Sequence, residues 1–339
     1  MSTPQASGGW EQQLAPQWSP EQVADTGEQI VAAVERVVLG KTSVVRTAVV
    51  TLLAGGHLLL EDVPGVGKTA LAKSLARAVD SSVSRIQFTP DLLPSDVTGV
   101  SIYDRRSGEF EFRPGPVFAN MLVADEINRA SPKTQSALLE CMEEQQVTVD
   151  STTYRLAEPF MVLATQNPVE MEGTYPLPEA QRDRFTARVS LGYPSAAAEL
   201  TMIDTHAADD PVEHLRPVCA AVDVRAMIEA TRALHISADL RRYAVGLVSA
   251  TRSSPLIRLG ASPRATLHLV RTARAHAALA GRAHVLPDDI TTVAAAVLAH
   301  RLLLTGEAVA AGRDAVSIVQ ELISHLPVPR SPAPAPRMR

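Results

Sequence analysis

The segment LLLEDVPGVGKTALAKSLA, residues 58–76, constrains the fold most, because it joins an apolar run, a glycine-containing loop and a helical pattern. Backbone N–H groups at a helix N-terminus can converge on one phosphate, and glycines let the backbone approach it closely. Gly65, Gly67, Lys68 and Thr69 supply these parts. Lys68 would reach the β- and γ-phosphates, and the Thr69 hydroxyl would bind Mg²⁺. The order of strand, loop and helix predicts a nucleotide site rather than a simple helix start.

One residue departs from the general phosphate-loop pattern, which asks for glycine five positions before the second loop glycine, Gly67. Asp62 occupies that position, at the predicted end of the strand. Aspartate tolerates turn geometry, so it is compatible with a chain that leaves the sheet there. We expect Asp62 only to mark the end of the strand, without removing a phosphate ligand.

Short apolar runs alternate with helical patterns between about residues 25 and 190, which is typical of an α/β fold with a parallel sheet covered on both faces. The predicted strands are 57–63, 83–88, 120–127 and 158–167, and the predicted helices are 68–79 and 133–145. Two further stretches, 99–114 and 146–159, have the pattern of hairpins with polar turns.

Alanine-rich helical sequence follows residue 195 and predicts a smaller all-helical domain. Its predicted helices are 195–206, 223–234, 238–252, 263–279 and 287–303, and Pro263 and Pro287 fit first-turn positions. We therefore expect a disordered tail (1–20), an α/β nucleotide-binding domain (21–194), a helical lid domain (195–326) and a Pro-rich tail (327–339).

Charge and cysteine usage narrow the function classes. The net charge of −5 disfavours a broad nucleic-acid-binding surface. Cys141 and Cys219 lie far apart without metal-type spacing, so we expect a reducing, cytoplasmic setting. There is no signal-peptide pattern at the N-terminus, and the most apolar long window, 44–60, is interrupted by charged and glycine residues. We therefore expect no membrane insertion.

Two polar groups at predicted strand ends complete a site for hydrolysis. Asp125 and Glu126 follow the apolar run MLVA, about 56 residues after the phosphate loop. Asp125 would face the metal and Glu126 the attacking water, although an exposed acidic pair at a strand end is the alternative. Asn167 ends another predicted strand and could position the water. An arginine in PEAQRDRF, which starts at residue 178, could serve a neighbouring subunit, with a solvated arginine as the alternative.

Several long blocks of the chain resemble the MoxR family of AAA+ ATPases. They are DEINRASPKTQSALLECMEEQQVTV, ATQNPVEMEGTYPLPEAQRDRF, RIQFTPDLLPSDVTG and GASPRAT, and the resemblance that they carry extends over most of residues 25–300. The family commonly shows EDVPGVGKT, so the resemblance makes Asp62 a family trait.

The resemblance implies roles for individual residues. Those implied to bind the nucleotide are Val38, Gly40, Gly65, Val66, Gly67, Lys68, Thr69 and Ala70, with the VLG segment 38–40 near adenine and Gly65 to Thr69 as the Walker A loop. Thr69 and Asp125 would hold Mg²⁺. The catalytic set would be Glu126 of the Walker B pair, Asn167 as sensor 1, Arg184 as the arginine finger acting in trans, and Arg264 as sensor 2. Arg182 is a second finger candidate.

The resemblance also implies how such a protein works. The site would lie between subunits of a ring, most commonly a hexamer, and Arg264 would reach from the lid to the γ-phosphate of ATP. The hairpins at 100–113 and near 147–157 match the inserts of a clade shared with magnesium-chelatase motor subunits and MCM helicases. MoxR ATPases act as chaperone-like remodellers of a protein client, often with von Willebrand factor A domain partners.

Three rival functions stay open at this point. A metal-chelatase motor subunit shares the clade. A DNA-dependent motor has no support from net charge, although Arg105 and Arg106 at a hairpin tip could touch a phosphate backbone. A nucleotide switch without turnover is disfavoured by the intact pair of Asp125 and Glu126.

Overall fold

The structure is a computed structural model that describes residues 18–63, 65–167, 175–206 and 211–329. Most of the two predicted tails, residues 1–17 and 330–339, lies outside these ranges. The described helices are α1 (Pro20–Glu35), α2 (Thr42–Leu53), α3 (Lys68–Ala78), α4 (Pro94–Thr98), α5 (Pro132–Glu144), α6 (Glu179–Arg182), α7 (Ala196–His206), α8 (Ala221–Ala233), α9 (Ala238–Ser253), α10 (Pro263–Leu279), α11 (Pro287–Leu298), α12 (Gly306–Ala310) and α13 (Ala315–His325). The described strands are β1 (Leu58–Glu61), β2 (Val83–Gln87), β3 (Gly99–Asp104), β4 (Glu109–Pro114), β5 (Met121–Asp125), β6 (Gln146–Val149), β7 (Thr152–Arg155), β8 (Met161–Gln166), β9 (Ala187–Val189), β10 (Ile257–Leu259) and β11 (Leu303–Leu304).

Five strands form one parallel sheet in the order β2, β5, β8, β1, β9. Strand β5 is buried along its whole length, as an apolar strand covered on both faces should be. The four predicted strands and the α/β class are confirmed. Strand β9 was not predicted, because it has only three residues and carries Arg188, which pairs with Glu61 on the neighbouring β1.

Helices cover both faces of the sheet and enclose two hydrophobic clusters. One cluster packs α1, α2 and α3 on the sheet and continues into the helical region through α8 to α11. The other lies between the opposite sheet face and α5. The first cluster spans both predicted domains, so the domain boundaries stay predictions.

Two antiparallel hairpins project from this core, β3 with β4 and β6 with β7, as the sequence predicts. They meet through aromatic rings: Phe112 of β4 stacks on Tyr154 of β7 with centroids 4.1 Å apart. Tyr103 and Phe110 form a second ring pair further along the first hairpin, and both are exposed.

The helical region confirms the five predicted helices, with one difference at the end of α11. The predicted helix runs to residue 303, but α11 ends at Leu298 and is followed by a 3-10 turn (Ala299–Arg301) and strand β11, which pairs with β10. The turn directs His300 and Arg301 towards the loop before β9, and this tertiary contact overrides helical propensity.

No helix among the described residues is long and apolar enough to cross a membrane.

Candidate functional site

The carboxyl ends of the parallel strands bring most of the predicted site together. Asp62 follows β1, Asp125 ends β5 and Asn167 follows β8, and these three strands are adjacent in the order β5, β8, β1. Ligands of open α/β sheets bind in the crevice at this edge. The structure therefore gathers the predicted phosphate, metal and water-positioning groups from segments more than 100 residues apart.

The loop after β1 has the backbone geometry that a phosphate cradle needs. Gly65 and Gly67 adopt φ of 83° and 94°, a region that favours glycine, and a side chain at either position would meet no atom within 4 Å. Helix α3 begins at Lys68, directly after Gly67. The Lys68 Nζ donates to the Asp62 carbonyl at 2.7 Å. An open loop with glycine backbone and an inward-folded lysine fits a bound polyphosphate.

Asp62 does more than mark a strand end, which corrects that expectation. Its carboxylate accepts hydrogen bonds from the N–H of Gly192 at 2.6 Å, the hydroxyl of Ser190 at 3.0 Å and the N–H of Val63 at 3.0 Å. Burial alone would raise the pKa of this carboxyl group, but the donors of Gly192, Ser190 and Val63 outweigh it and leave the pKa lowered. Asp62 therefore ties the start of the loop to the segment that leads from β9 to α7.

The predicted metal ligand Asp125 is buried, 6% exposed, and already has charged and polar neighbours. Its Oδ2 accepts from the Arg85 Nε at 2.7 Å, and its Oδ1 accepts from the Thr165 hydroxyl at 3.3 Å. Thr165 in turn accepts from the backbone N–H of Glu126 at 2.9 Å. Strands β2, β5 and β8 together therefore fix the acidic pair.

Glu126 stands at the turn after β5 with φ of 56°, an uncommon conformation for a residue other than glycine. Its Oε2 accepts from the Gln87 amide at 2.7 Å and pairs with the Arg129 guanidinium at 3.1 Å. This strained backbone turns the Glu126 side chain away from the strand direction, and Gln87 and Arg129 hold it in that orientation.

The sequence prediction missed Arg85, Gln87 and Arg129. A signal was present for the first two, because Arg85 and Gln87 stand at i and i+2 and therefore share one face of β2. Their register partners on β5 are Val123 and Asp125. Arg129 lies in a 3-10 turn whose shape depends on the conformation of Glu126. No local pattern shows that turn.

The predicted adenine-side residues lie between α1 and the start of α7. Val38 is buried, 6% exposed. Gly40 has φ of 69°, and a Cβ added to Gly40 would lie 4.0 Å from the Ala198 Cβ of α7. The adjacent Lys41 donates to the Tyr193 carbonyl at 2.8 Å. The 38–41 turn therefore contacts the same 190–198 segment that Asp62 holds. Val66, Thr69 and Ala70 are half-buried in and after the phosphate loop.

The two predicted catalytic arginines meet on a different side of the molecule. Arg184, before β9, and Arg264, in the first turn of α10, both pair with the carboxylate of Glu143 on α5, Arg184 at 3.3 Å. They line a cavity of about 220 Å³ together with Gly55, Gly56, His57, His268 and Arg271 among others.

This cavity lies at the amino edge of the sheet. Leu58, the first residue of β1, is paired with Ala187 of β9, so His57 and the segment before Ala187 precede the strands. Asp62 is five residues beyond His57, which corresponds to about 16 Å along an extended strand. Arg184 and Arg264 are thus remote from the loop at the other end of β1. That Arg264 reaches from the lid to a γ-phosphate stays a prediction.

The second finger candidate, Arg182, is the last residue of the short helix α6. Its Nε is buried without a hydrogen-bond partner, and Arg182 does not line the cavity that holds Arg184 and Arg264. The choice of Arg184 over Arg182 as the finger stays a prediction.

Two family models match the chain. The one described as ATPase family associated with various cellular activities (AAA) matches residues 57–187, and the one described as AAA lid domain matches residues 249–322. Together with the parallel sheet and the helical lid, they define the class as an AAA+ ATPase fold.

Similar proteins narrow the class further. The uncharacterized protein YeaC of Bacillus subtilis (strain 168) is 50% identical over 296 residues, which cover 87% of this chain and 92% of YeaC. Chaperone MoxR1 of Mycobacterium tuberculosis is 40% identical over 314 residues, which cover 90% of this chain and 83% of MoxR1. A crystal structure from Cytophaga hutchinsonii, provisionally assigned as an ATPase, matches with a TM-score of 0.85 and 40% identity and covers 92% and 97% of the two chains. The chain belongs to the MoxR family of AAA+ ATPases.

Proposed function

We propose that this protein hydrolyses ATP at the carboxyl edge of its sheet and uses the energy to remodel a protein client. The observation that carries the proposal is the meeting of the glycine loop after β1, the acidic pair after β5 and Asn167 after β8 at one edge. A binding module needs only the loop, whereas the acidic pair adds the groups for hydrolysis.

Each group at that edge has a chemical task in this proposal. The N–H groups of Gly65 to Thr69 and the Lys68 ammonium bind the phosphates, and Lys68 exchanges its 2.7 Å bond to the Asp62 carbonyl for a phosphate oxygen. Glu126 orients the attacking water and accepts its proton, and Asn167 positions that water. Thr69 and Asp125 would hold Mg²⁺, which supplies charge neutralisation at the β- and γ-phosphates.

Arg184 and Arg264 serve a neighbouring subunit in this proposal. They lie at the amino edge of the sheet, remote from the phosphate loop of the same chain, and are partly exposed (side chains 29% and 35%). In the single chain both arginines pair with Glu143. In the ring they would exchange Glu143 for the γ-phosphate of the adjacent subunit's nucleotide and stabilise the charge of the transition state. A ring with a head-to-tail interface, a hexamer by family resemblance, provides this contact.

Chaperone-like activity follows from the family, in which MoxR1 is named a chaperone. We extend this to a protein client and a von Willebrand factor A domain partner as family-based proposals. The proposed cytoplasmic setting rests on the free thiols Cys141 and Cys219, whose pKa values burial raises to about 12.

Two variants test the site directly. Lys68→Ala should weaken ATP binding by at least about tenfold, because a charge-assisted contact to phosphate is lost. Glu126→Gln should bind ATP with unchanged affinity and lose turnover by about 100-fold or more, since it removes the general base. Nucleotide titration and phosphate release measure the two steps separately. Unchanged turnover in Glu126→Gln would contradict the role assigned to Glu126.

A further inference from the structure

The buried guanidinium of Arg301 holds residues 183–186, the finger segment, which carries the proposed finger Arg184. Arg301 lies in the 3-10 turn after α11 and is 4% exposed. Its Nε donates to the Asp183 carboxylate at 2.8 Å, and its Nη2 donates to the carbonyls of Asp183 at 3.1 Å and Phe185 at 2.5 Å. Its Nη1 donates to the Thr186 carbonyl at 3.4 Å. One side chain therefore binds the residues on both sides of Arg184.

The same carboxylate connects this segment to the helix that carries Arg264. The Ser262 hydroxyl donates to the second oxygen of Asp183 at 2.8 Å. Ser262 is the N-cap of α10 and stands two residues before Arg264. Asp183 thus bridges the end of α11 and the start of α10, and both contacts are adjacent to a proposed catalytic arginine.

The other side of the finger segment is fixed by the sheet. The Thr186 N–H donates to the His57 carbonyl at 2.8 Å, and a side chain at Gly56 would come within 2.1 Å of the Thr186 hydroxyl. The His300 ring donates to the Phe185 carbonyl at 3.2 Å. With its backbone held from the lid and from the sheet, the segment leaves the Arg184 side chain to project into the cavity beside Glu143.

Burying a guanidinium is an expensive way to stabilise a packing contact, because the desolvation cost can exceed the gain from the ion pair. What a fully hydrogen-bonded planar fork provides is geometry, since its donors point in fixed directions. Here four of the six hydrogen bonds of Arg301 go to residues 183–186, and the other two go to the Val297 carbonyl and the His268 ring. Arg184 requires a fixed backbone of this kind, because its guanidinium must meet a phosphate on another subunit.

We propose that Arg301 is a positioning residue for the trans-acting arginines: through Asp183 it locks the lid and the finger segment together, so that Arg184 and Arg264 are presented as one unit to the neighbouring nucleotide. The inference rests on the proposed shared site and adds to it a residue that touches no nucleotide. Small displacements of catalytic groups are costly, so loosening this lock should slow hydrolysis while ATP binding persists.

The test uses full-length Arg301→Lys, which keeps the positive charge and loses the fork. Alone, it should bind ATP as the parent protein does and lose at least about tenfold in turnover, since a misplacement of about 1 Å can cost 100-fold. Mixed with Glu126→Gln, whose arginines are intact, it should recover turnover at its own sites. A lid that is merely damaged would not be rescued in this way.

Arg282→Lys is the matched control. Arg282 makes a two-pronged ion pair with the buried Asp289 in the lid, and none of its hydrogen bonds goes to residues 183–186. We expect it to lower the melting temperature and leave turnover unchanged. Asp183→Asn provides a second disruption of the lock, with the same expected rescue by Glu126→Gln in case Arg301→Lys fails to fold.

The outcomes separate the two proposals. Wild-type turnover in folded Arg301→Lys, loss of turnover without rescue, or equal loss in Arg282→Lys would overturn the positioning role. If Glu126→Gln fails to rescue Arg184→Ala itself, the shared site is wrong and the inference is overturned with it.

Discussion

The carboxylate of Asp62 joins two segments that are 128 residues apart in the chain. It occupies the place of a glycine in the general phosphate-loop pattern, and it receives the donors of Ser190 and Gly192. The sequence showed the departure from the pattern but not its partners, because Ser190 and Gly192 come near only when β9 pairs with β1.

Replacing Asp62 with alanine should destabilise the protein without abolishing nucleotide binding. The half-buried N–H of Gly192 and the exposed hydroxyl of Ser190 would lose their charged acceptor, at a cost of about 1–3 kcal/mol in total in the free energy of unfolding. The phosphate ligands Gly65 to Thr69 stay in place, so ATP affinity should change by only a few fold. Denaturant unfolding and ATP titration measure both quantities. Unchanged stability, or loss of ATP binding by a folded Asp62→Ala protein, would contradict this account.

Two buried histidines, His57 and His300, and the half-buried His268 should make stability depend on pH. Burial lowers the pKa of His57 to about 4 against the opposing hydrogen bond to Met142, and burial with the charge of Arg301 lowers that of His268 to about 2. Burial, followed by the charge of Arg301, lowers the pKa of His300 well below its usual value. In the unfolded chain all three bind protons near pH 6.5.

The unfolded state therefore binds more protons than the folded state below that pH. The free energy of unfolding should therefore be highest above about pH 6.5. It should fall towards pH 4, by up to about 1.4 kcal/mol per pH unit for each histidine. Urea unfolding at pH 7.5, 6 and 5 measures the slope, and His57→Gln should reduce it. Equal stability at pH 7.5 and 5 would show that these histidines are not neutral and buried.

At the scale of elements, the two hairpins depend on each other. Both were predictable from alternating apolar residues around polar turns. Their contact was not, because the stack of Phe112 on Tyr154 joins strands more than 40 residues apart. The same limit applies at the end of α11: the helical pattern continues to residue 303, while the tertiary bonds of Arg301 end the helix at Leu298.

Tyr154→Ala should release the hairpin of β3 and β4 from its neighbour. The stacked pair contributes about 0.5–1.5 kcal/mol beyond simple burial, so the hairpin should open more often. Hydrogen exchange should accelerate by roughly twofold or more across residues 99–114, since 1.4 kcal/mol corresponds to a factor of ten. Val100→Ala, which shortens an exposed side chain of the same hairpin that is not part of an aromatic pair, is the control and should leave that exchange nearly unchanged. Identical exchange in both variants would rule out docking through Tyr154.

At the scale of the whole molecule, the sheet separates the two halves of the chemistry. The phosphate loop, the acidic pair and Asn167 follow the carboxyl ends of the strands, and Arg184 with Arg264 precede the amino ends. The predicted strands and the polar residues at their ends were enough to foresee the first group, because parallel strands gather their carboxyl ends at one edge. The position of Arg264 depends on how the lid packs, and no local pattern of residues contains that information.

The central claim is that one subunit's arginines act on another subunit's nucleotide, and turnover by mixed rings tests it most directly. The double variant Arg184→Ala, Arg264→Ala keeps its own site but donates no arginines, and Glu126→Gln donates arginines but does not hydrolyse. Each alone should be inactive. An equal mixture should recover about a quarter of wild-type turnover, because half the subunits have intact sites and half of those face a donating neighbour in a head-to-tail ring. A mixture that reassembles and is no more active than its two components would contradict the shared site.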